Sequence, residues 1–365
     1  MQNEITKMQD VPGKDGNIIE AGWARQELFH YKKENIHHPA KRLKEWSYFF
    51  CGDENFGIGF NIANVGPIHN YGLSFMDFKN HKNINDSSII PVEGSVLDLP
   101  SDPFGSLKYK APNTECEIAG SREKILFKSE WRKFGKEADF SINLTLHMPQ
   151  GDTLFHCFPF TKGKGEFFYS HKMDNIRVSG SFTLGSLTYT FDPALAFGVQ
   201  DWGRGIWPSE THAYWGGGNG MVNGKQLSFN IGYDYKWADL SSATENALFY
   251  DGVIHKLTGI TFKRNEKQKE WLDPWNFSSS DGRFEMIMKP IMDRFTQSPL
   301  GPSHQCFGYY SGSVILDNGK KLAIEKLFGF AEKNVYKWGL VETVMPPLLA
   351  VQKLFSPKKG QANIT

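Results

Sequence analysis

The side chains that could do chemistry concentrate between residues 189 and 250. The run YTFDPALAFGVQDWGRGIWPSETHAYWGGGNG, then SFNIGYDYKW and SSATENALFY, interleaves carboxyl groups with large rings. A carboxyl group desolvated among aromatic rings has a raised pKa and can donate a proton at neutral pH. Ring faces stabilise a developing carbocation by cation–π attraction. An acid in an aromatic-lined pocket is therefore the equipment for protonating an alkene, followed by addition of water, ring closure or isomerisation. Asp201 is the first candidate acid and Glu245 the second. Arg204 and Asn246 would hold the acid or orient a polar group of the ligand, and Trp202, Trp207, Trp215 and Asn230 would line the pocket. A competing expectation makes Asp201 and Arg204 a buried ion pair, with Arg204 stacked on Trp202 or Trp207 to plug a barrel end.

Outside this region, His171 beside Lys172, in FFYSHKMDNIRVSG, could face a cavity in the first half of the chain or form a surface pair at a strand end. His37, His38, His69 and His81 sit in polar segments without metal-ligand spacing. Cys51, Cys116, Cys157 and Cys306 are far apart, without a Cys-x-x-Cys pair, and read as reduced thiols in an intracellular protein. No metal or cofactor is expected. The run Gly216–Gly220 lacks the Gly-Lys-Ser/Thr ending of a phosphate loop and reads as strand glycines that let another group come close. No Gly-x-Ser-x-Gly elbow supports a hydrolase of the α/β type.

The elements that must position these residues are strands. Aromatic residues (Phe 29, Tyr 13, Trp 10) and 36 glycines favour β structure with its turns and bulges. Phe140, Ile142, Leu144 and Leu146 alternate with polar residues, so they share one face of a strand. Asn223-Gly224, Asp251-Gly252 and Asp317-Asn318-Gly319 each separate two apolar runs and predict three hairpins. Residues 77–90 read as a polar loop, and 341–354 as a short helix interrupted by Pro346-Pro347. Gly59-Phe60-Asn61-Ile62 is echoed by Ser228-Phe229-Asn230-Ile231, which fits two similar β units. The 365 residues then divide into an N-terminal arm (1–40), a first unit (41–190), a second unit (191–340) and a C-terminal tail (341–365).

Lys and Arg number 41 and Asp and Glu 40, a balance that argues against a nucleic-acid partner. The N-terminus has no apolar signal region and no run of eighteen apolar residues occurs, so a cytoplasmic protein without a membrane-spanning segment is expected. Oligomeric state stays open.

The stretch from FFYSHKMDNIRVSG through DWGRGIWP, followed by TENALFYDGVIHKL and QCFGYYSGSVILDNG…LFGFAEK, resembles a bacterial and fungal family known as a conserved domain of unknown function. The resemblance runs from about Trp46 to Trp338, and Asp201, Trp202, Gly203, Arg204, Trp207, Pro208, Glu245 and Asn246 match the family's own motifs. More distantly the chain is similar to two-barrel lipocalin-like proteins, among them carotenoid 1,2-hydratase and tocopherol cyclase. The resemblance implies an all-β fold of two antiparallel lipocalin-like β-barrels packed together, with an apolar ligand (isoprenoid, lipid or polyketide) in a barrel or at their junction. It is compatible with an enzyme, with a carrier that does no chemistry, and with a structural protein whose barrels are filled by their own side chains.

Overall fold

The computed structural model describes residues 2–92, 97–264, 271–298 and 300–344. Two curled antiparallel sheets carry nearly all of the regular structure. The first runs in the order 82–91, 68–77, 56–65, 43–52, 197–206, 167–184, 138–147, 124–134, 114–120 and 107–111. The second runs 253–256, 247–250, 225–233, 211–222, 321–336, 301–315, 284–298, 275–279 and 260–263. In each unit the first long strand pairs with both the second strand and the last, so the meander curls back on itself. Closure of the first sheet brings the edge strand 82–91 to the turn after Phe134, where the Gly135 amide donates to Asp86 Oδ2 (3.0 Å). In the second sheet the ring of Phe262 reaches those of Tyr214 and Tyr233 at 5.7 and 5.9 Å.

Both barrels are filled by their own side chains. Phe140, Ile142, Leu144 and Leu146 point inwards as their alternation predicts, among the rings of Phe49, Phe60 and Phe127. Phe60 and Phe127 stack at 3.6 Å. Phe229, Trp275, Phe284 and Tyr310 fill the second barrel. The echoed tetrapeptides therefore occupy equivalent places: each lies on the second long strand of its unit and buries its phenylalanine. The three hairpins form as expected, with Asn223, Gly224, Asp251, Gly252 and Gly319 at positive φ.

Two sequence expectations are corrected. Residues 82–91 form a strand rather than a loop; it lies at a sheet edge, where only Ile84 and Ile90 pack partly on the core and the polar run Asn85–Ser88 breaks any apolar alternation. Sheet membership changes between Ile206 and Thr211, so the strand Phe197–Ile206, read from sequence as the start of the second unit, closes the first. The short C-terminal helix is present as expected: its described part spans 338–344, and the rest of the expected 341–354 segment lies outside the described residues.

The N-terminal arm is bound rather than trailing. Gly22–Ala24 adds a strand beside 154–159, while Phe29 and Tyr31 plug the end of the first barrel against Tyr169 and Trp202. No helix among the described residues is long and apolar enough to cross a membrane.

Candidate functional site

The two sheets pack through their outer faces, and this seam changes character along its length. At one end Phe50, Met76, Phe197 and Val199 meet Trp215, Phe307, Phe328 and Phe330. At the other, Phe158, Phe168 and Trp207 form a second aromatic patch. Between them lies a buried polar cluster. The register of the strands sets Tyr48, Asp201 and Lys172 side by side on the outward face of the first sheet. Lys172 Nζ lies 2.9 Å from Asp201 Oδ1 and 3.0 Å from Glu245 Oε2, and so ties the first sheet to the loop before Ala247 of the second. The ammonium also sits 4.5 Å from the Trp215 ring centre. Burial opposes its charge, but the two carboxylates outweigh that penalty and its pKa is raised.

Glu245 is held from several sides. Tyr235 donates its hydroxyl hydrogen to Oε1. His156 Nε2 lies 3.8 Å from Oε2, and burial, with Lys172 and Lys256 nearby, keeps this imidazole pKa well below its ordinary value. Gly232 makes room for the carboxylate: a Cβ there would stand 2.0 Å from Oε1. Across the seam Tyr48 donates to Gln305 (3.3 Å), and Gln305 donates to Glu332 Oε2 (2.9 Å). Burial raises the Glu332 pKa to about 7.

Asp174 differs from the other carboxyl groups. It is 1% exposed, and neither of its oxygens has a hydrogen-bond partner. Burial, only partly offset by Lys172, holds its pKa well above the usual carboxylate range. It sits at an irregularity in strand 167–184, where Asn175 adopts φ +78° and the pairing with 197–206 shifts. Gly217 lies opposite: a Cβ there would stand 3.2 Å from Asp174 Oδ1. Asn175 Oδ1, Asn219 Nδ2 and Ser228 Oγ are buried and unpartnered as well. Asn219 Oδ1 accepts from the Asn175 amide at 3.1 Å, and strand pairing puts Ser228 beside Asn219.

Of the residues marked by sequence, the structure brings Asp201, Glu245, Trp215 and Asn230 together. Trp215 Nε1 donates to Asn230 Oδ1 (2.7 Å), and Asn230 Nδ2 donates to the Glu245 carbonyl (2.7 Å). Asn246 supports the same loop by accepting from the Gly232 amide (2.7 Å). Trp207 lies in the flanking aromatic patch, 4.8 Å from Phe168. The expected Asp201–Arg204 pair does not form. Arg204 points to the opposite face, donates to the carbonyls of Trp46 and Pro100, stacks 4.0 Å over Trp202, and faces Glu45 at 3.7 Å. His171 shares that inward side and stacks on Phe155 at 4.1 Å. Two cavities, of about 400 and 270 Å³, open elsewhere; neither is lined by Asp201, Arg204 or Glu245.

Sequence reading missed Asp174, Tyr235, His156 and Glu332, and noticed Lys172 only as a neighbour of His171. The available signal was Asp174-Asn175 in the middle of a strand, a place where Asp and Asn are disfavoured.

Two curled antiparallel barrels joined by a buried polar seam define a two-barrel lipocalin-like protein. The chain belongs to the family DUF2804, a domain of unknown function, whose model matches residues 2–338. Among solved structures it is similar to kievitone hydratase from Nectria haematococca, with a TM-score of 0.51 and 13% identity over 81% of this chain and 89% of that one. It is also similar to CghA with Sch210972, with a TM-score of 0.52 and 11% identity over 81% of this chain and 89% of that one. At such identities the likeness establishes the fold. No curated protein sequence matches the chain.

Proposed function

We propose that this protein is an acid catalyst without a cofactor, which protonates an unsaturated apolar molecule at the seam between its sheets and lets water or ring closure quench the cation. The observation that carries this reading is Asp174: a buried carboxyl group, free of hydrogen-bond partners, whose pKa burial raises well above the usual carboxylate range. A proton donor at neutral pH must have that form. In the hydration variant, the Asp174 proton bonds to one alkene carbon with the π electrons. Water oxygen then bonds to the cationic neighbour, and the proton it sheds returns to the Asp174 carboxylate. The unpartnered Asn175, Asn219 and Ser228 atoms suit a held water, since buried polar atoms of this kind ordinarily find one. Trp215, whose ring already holds the Lys172 ammonium at 4.5 Å, shows that ring faces at this seam support positive charge. The fold shared with kievitone hydratase agrees with addition of water as the reaction class.

The test is incubation with a panel of isoprenoids, polyketides and unsaturated lipids in ¹⁸O-labelled water, followed by mass spectrometry. One compound should gain labelled oxygen, or change retention without changing mass if a ring closes or a double bond moves. Asp174→Asn should lose that conversion while retaining the fold. Full turnover by Asp174→Asn would remove the acid from this scheme. A panel left untouched, with an unchanged lipid carried through purification, would favour the carrier reading instead.

A further inference from the structure

The larger cavity belongs to a different part of the molecule. It opens at the mouth of the first barrel, holds about 400 Å³ and is lined by the rings of Phe104 and Phe155, by Met173, and at its rim by Arg25, Glu27 and Arg122. That volume lies within the range of small-molecule sites. His171 does not line the cavity; it lies behind the rings, fully buried, stacked on Phe155 at 4.1 Å and edge-on to Phe104 at 5.7 Å. Neither of its ring nitrogens has a hydrogen-bond partner. Gln200 occupies the same inward patch, because its strand partner Met173 lines the cavity. Gln200 Nε2 donates to the Pro103 carbonyl (2.7 Å), but its Oε1 is buried and unpartnered. Orphaned polar groups of this kind cost stability, and places where a chain keeps such a cost are often functional.

We infer that this cleft is a second ligand site, independent of the seam, for a planar aromatic acid that carries a hydroxyl group at its far end. The ring would lie among Phe104, Phe155 and Met173, and the hydroxyl would enter between the two phenylalanines to meet His171 and Gln200. A hydroxyl donates one hydrogen bond and accepts others. Neutral imidazole offers one donor and one acceptor, and Gln200 Oε1 offers an acceptor, so the two sides complement each other. Burial, with Arg122 adding to it, pushes the His171 pKa down to about 3, which keeps the ring neutral. The acid group would remain at the rim. Arg122 is held there by an exposed pairing with Glu27 and lies 5.2 Å over the Phe104 ring. Exposed ion pairs are weak, so a ligand carboxylate can replace Glu27 as the partner of Arg122.

The probe is 4-hydroxycinnamate, titrated calorimetrically into the full-length protein, with cinnamate as the analogue that lacks the hydroxyl. One equivalent of 4-hydroxycinnamate should bind. Arg122→Gln and His171→Phe should each weaken it by about tenfold, as expected for loss of one good polar contact. His171→Phe should leave cinnamate affinity unchanged and should not lower the melting temperature, because it removes two orphaned nitrogens packed against the Phe104 and Phe155 rings. Failure to bind at millimolar concentration, or equal affinity in wild type and both variants, overturns the inference. A hydroxyl preference that survives His171→Phe overturns the role given to the imidazole. None of these readouts depends on turnover at Asp174, so this site and the catalytic reading fail separately.

Discussion

Lys172 is the residue on which the seam turns, because one ammonium serves two carboxylates from different sheets. Lys172→Met would leave Asp201 and Glu245 facing each other in a poorly solvated place. Breaking a buried pair from the cationic side costs about 3–5 kcal/mol. Asp201→Asn keeps the Lys172–Glu245 contact and should cost less, about 1–3 kcal/mol. Urea denaturation at pH 7 orders the two variants, and equal losses would contradict this account. Glu332 gives a pH signature. Its folded pKa of about 7 stands above the ordinary 4.5, so its contribution to stability is full below pH 4.5 and is lost as pH rises towards 7. The difference corresponds to about 3 kcal/mol. Glu332→Gln should therefore gain on wild type in melting temperature between pH 5 and pH 8, and a constant gap would refute the shift. The sequence exposed Asp201 and Glu245, since carboxyl groups among tryptophans stand out. It also held the reason why Asp201 and Arg204 do not pair: residues three apart on a strand point to opposite faces. Asp174 could not be read this way, because the irregularity at Asn175 that aims it at the seam depends on tertiary pairing.

Among the elements, glycines decide how closely the sheets and their side chains approach. Gly232 and Gly224 lie on one hairpin and differ in what they do. Gly224 takes φ +74° in the turn with open space around it, so Gly224→Ala should cost only the left-handed backbone penalty of about 1–2 kcal/mol. Gly232→Ala would drive a methyl group into Glu245 and displace it from Tyr235 and Lys172. Its cost should exceed that of Gly224→Ala, and adding Glu245→Ala should recover part of the loss, because the two changes touch. Denaturation of the two single variants and the double variant measures this coupling, and strict additivity would exclude the steric account. The hairpins were legible because their turns demand particular residues at positive φ. The strand 82–91 was not, because only Ile84 and Ile90 pack on the core and the polar residues between them hide the strand period. Nor was the place of Phe197–Ile206, whose partners at 43–52 and 167–184 are distant in sequence.

At the scale of the whole molecule, the N-terminal arm joins what the seam joins. Its backbone bonds run from Asn3 to Ser242 in the second half and from Ile5 to Trp23 within the arm, while Gln2 donates to Thr244, next to Glu245. Further along, Trp23, Phe29 and Tyr31 are 4%, 2% and 5% exposed, and Phe29 and Tyr31 cover the end of the first barrel. Burying side chains of this size contributes about 2–3 kcal/mol each. Truncating a large buried aromatic costs about 3–5 kcal/mol, so Trp23→Ala alone should consume a large part of an ordinary domain's stability. Trp23 touches the second half as well, packing with Phe249 and Ile254. The loss should therefore not be confined to one barrel. Far-UV circular dichroism and tryptophan fluorescence should report one shared midpoint in wild type, and the Trp23→Ala transition should move to lower denaturant without splitting. Two separated transitions in the variant would mean that the barrels are coupled through the arm alone. A midpoint equal to that of wild type would mean that the arm is dispensable, and that the seam by itself holds the halves together.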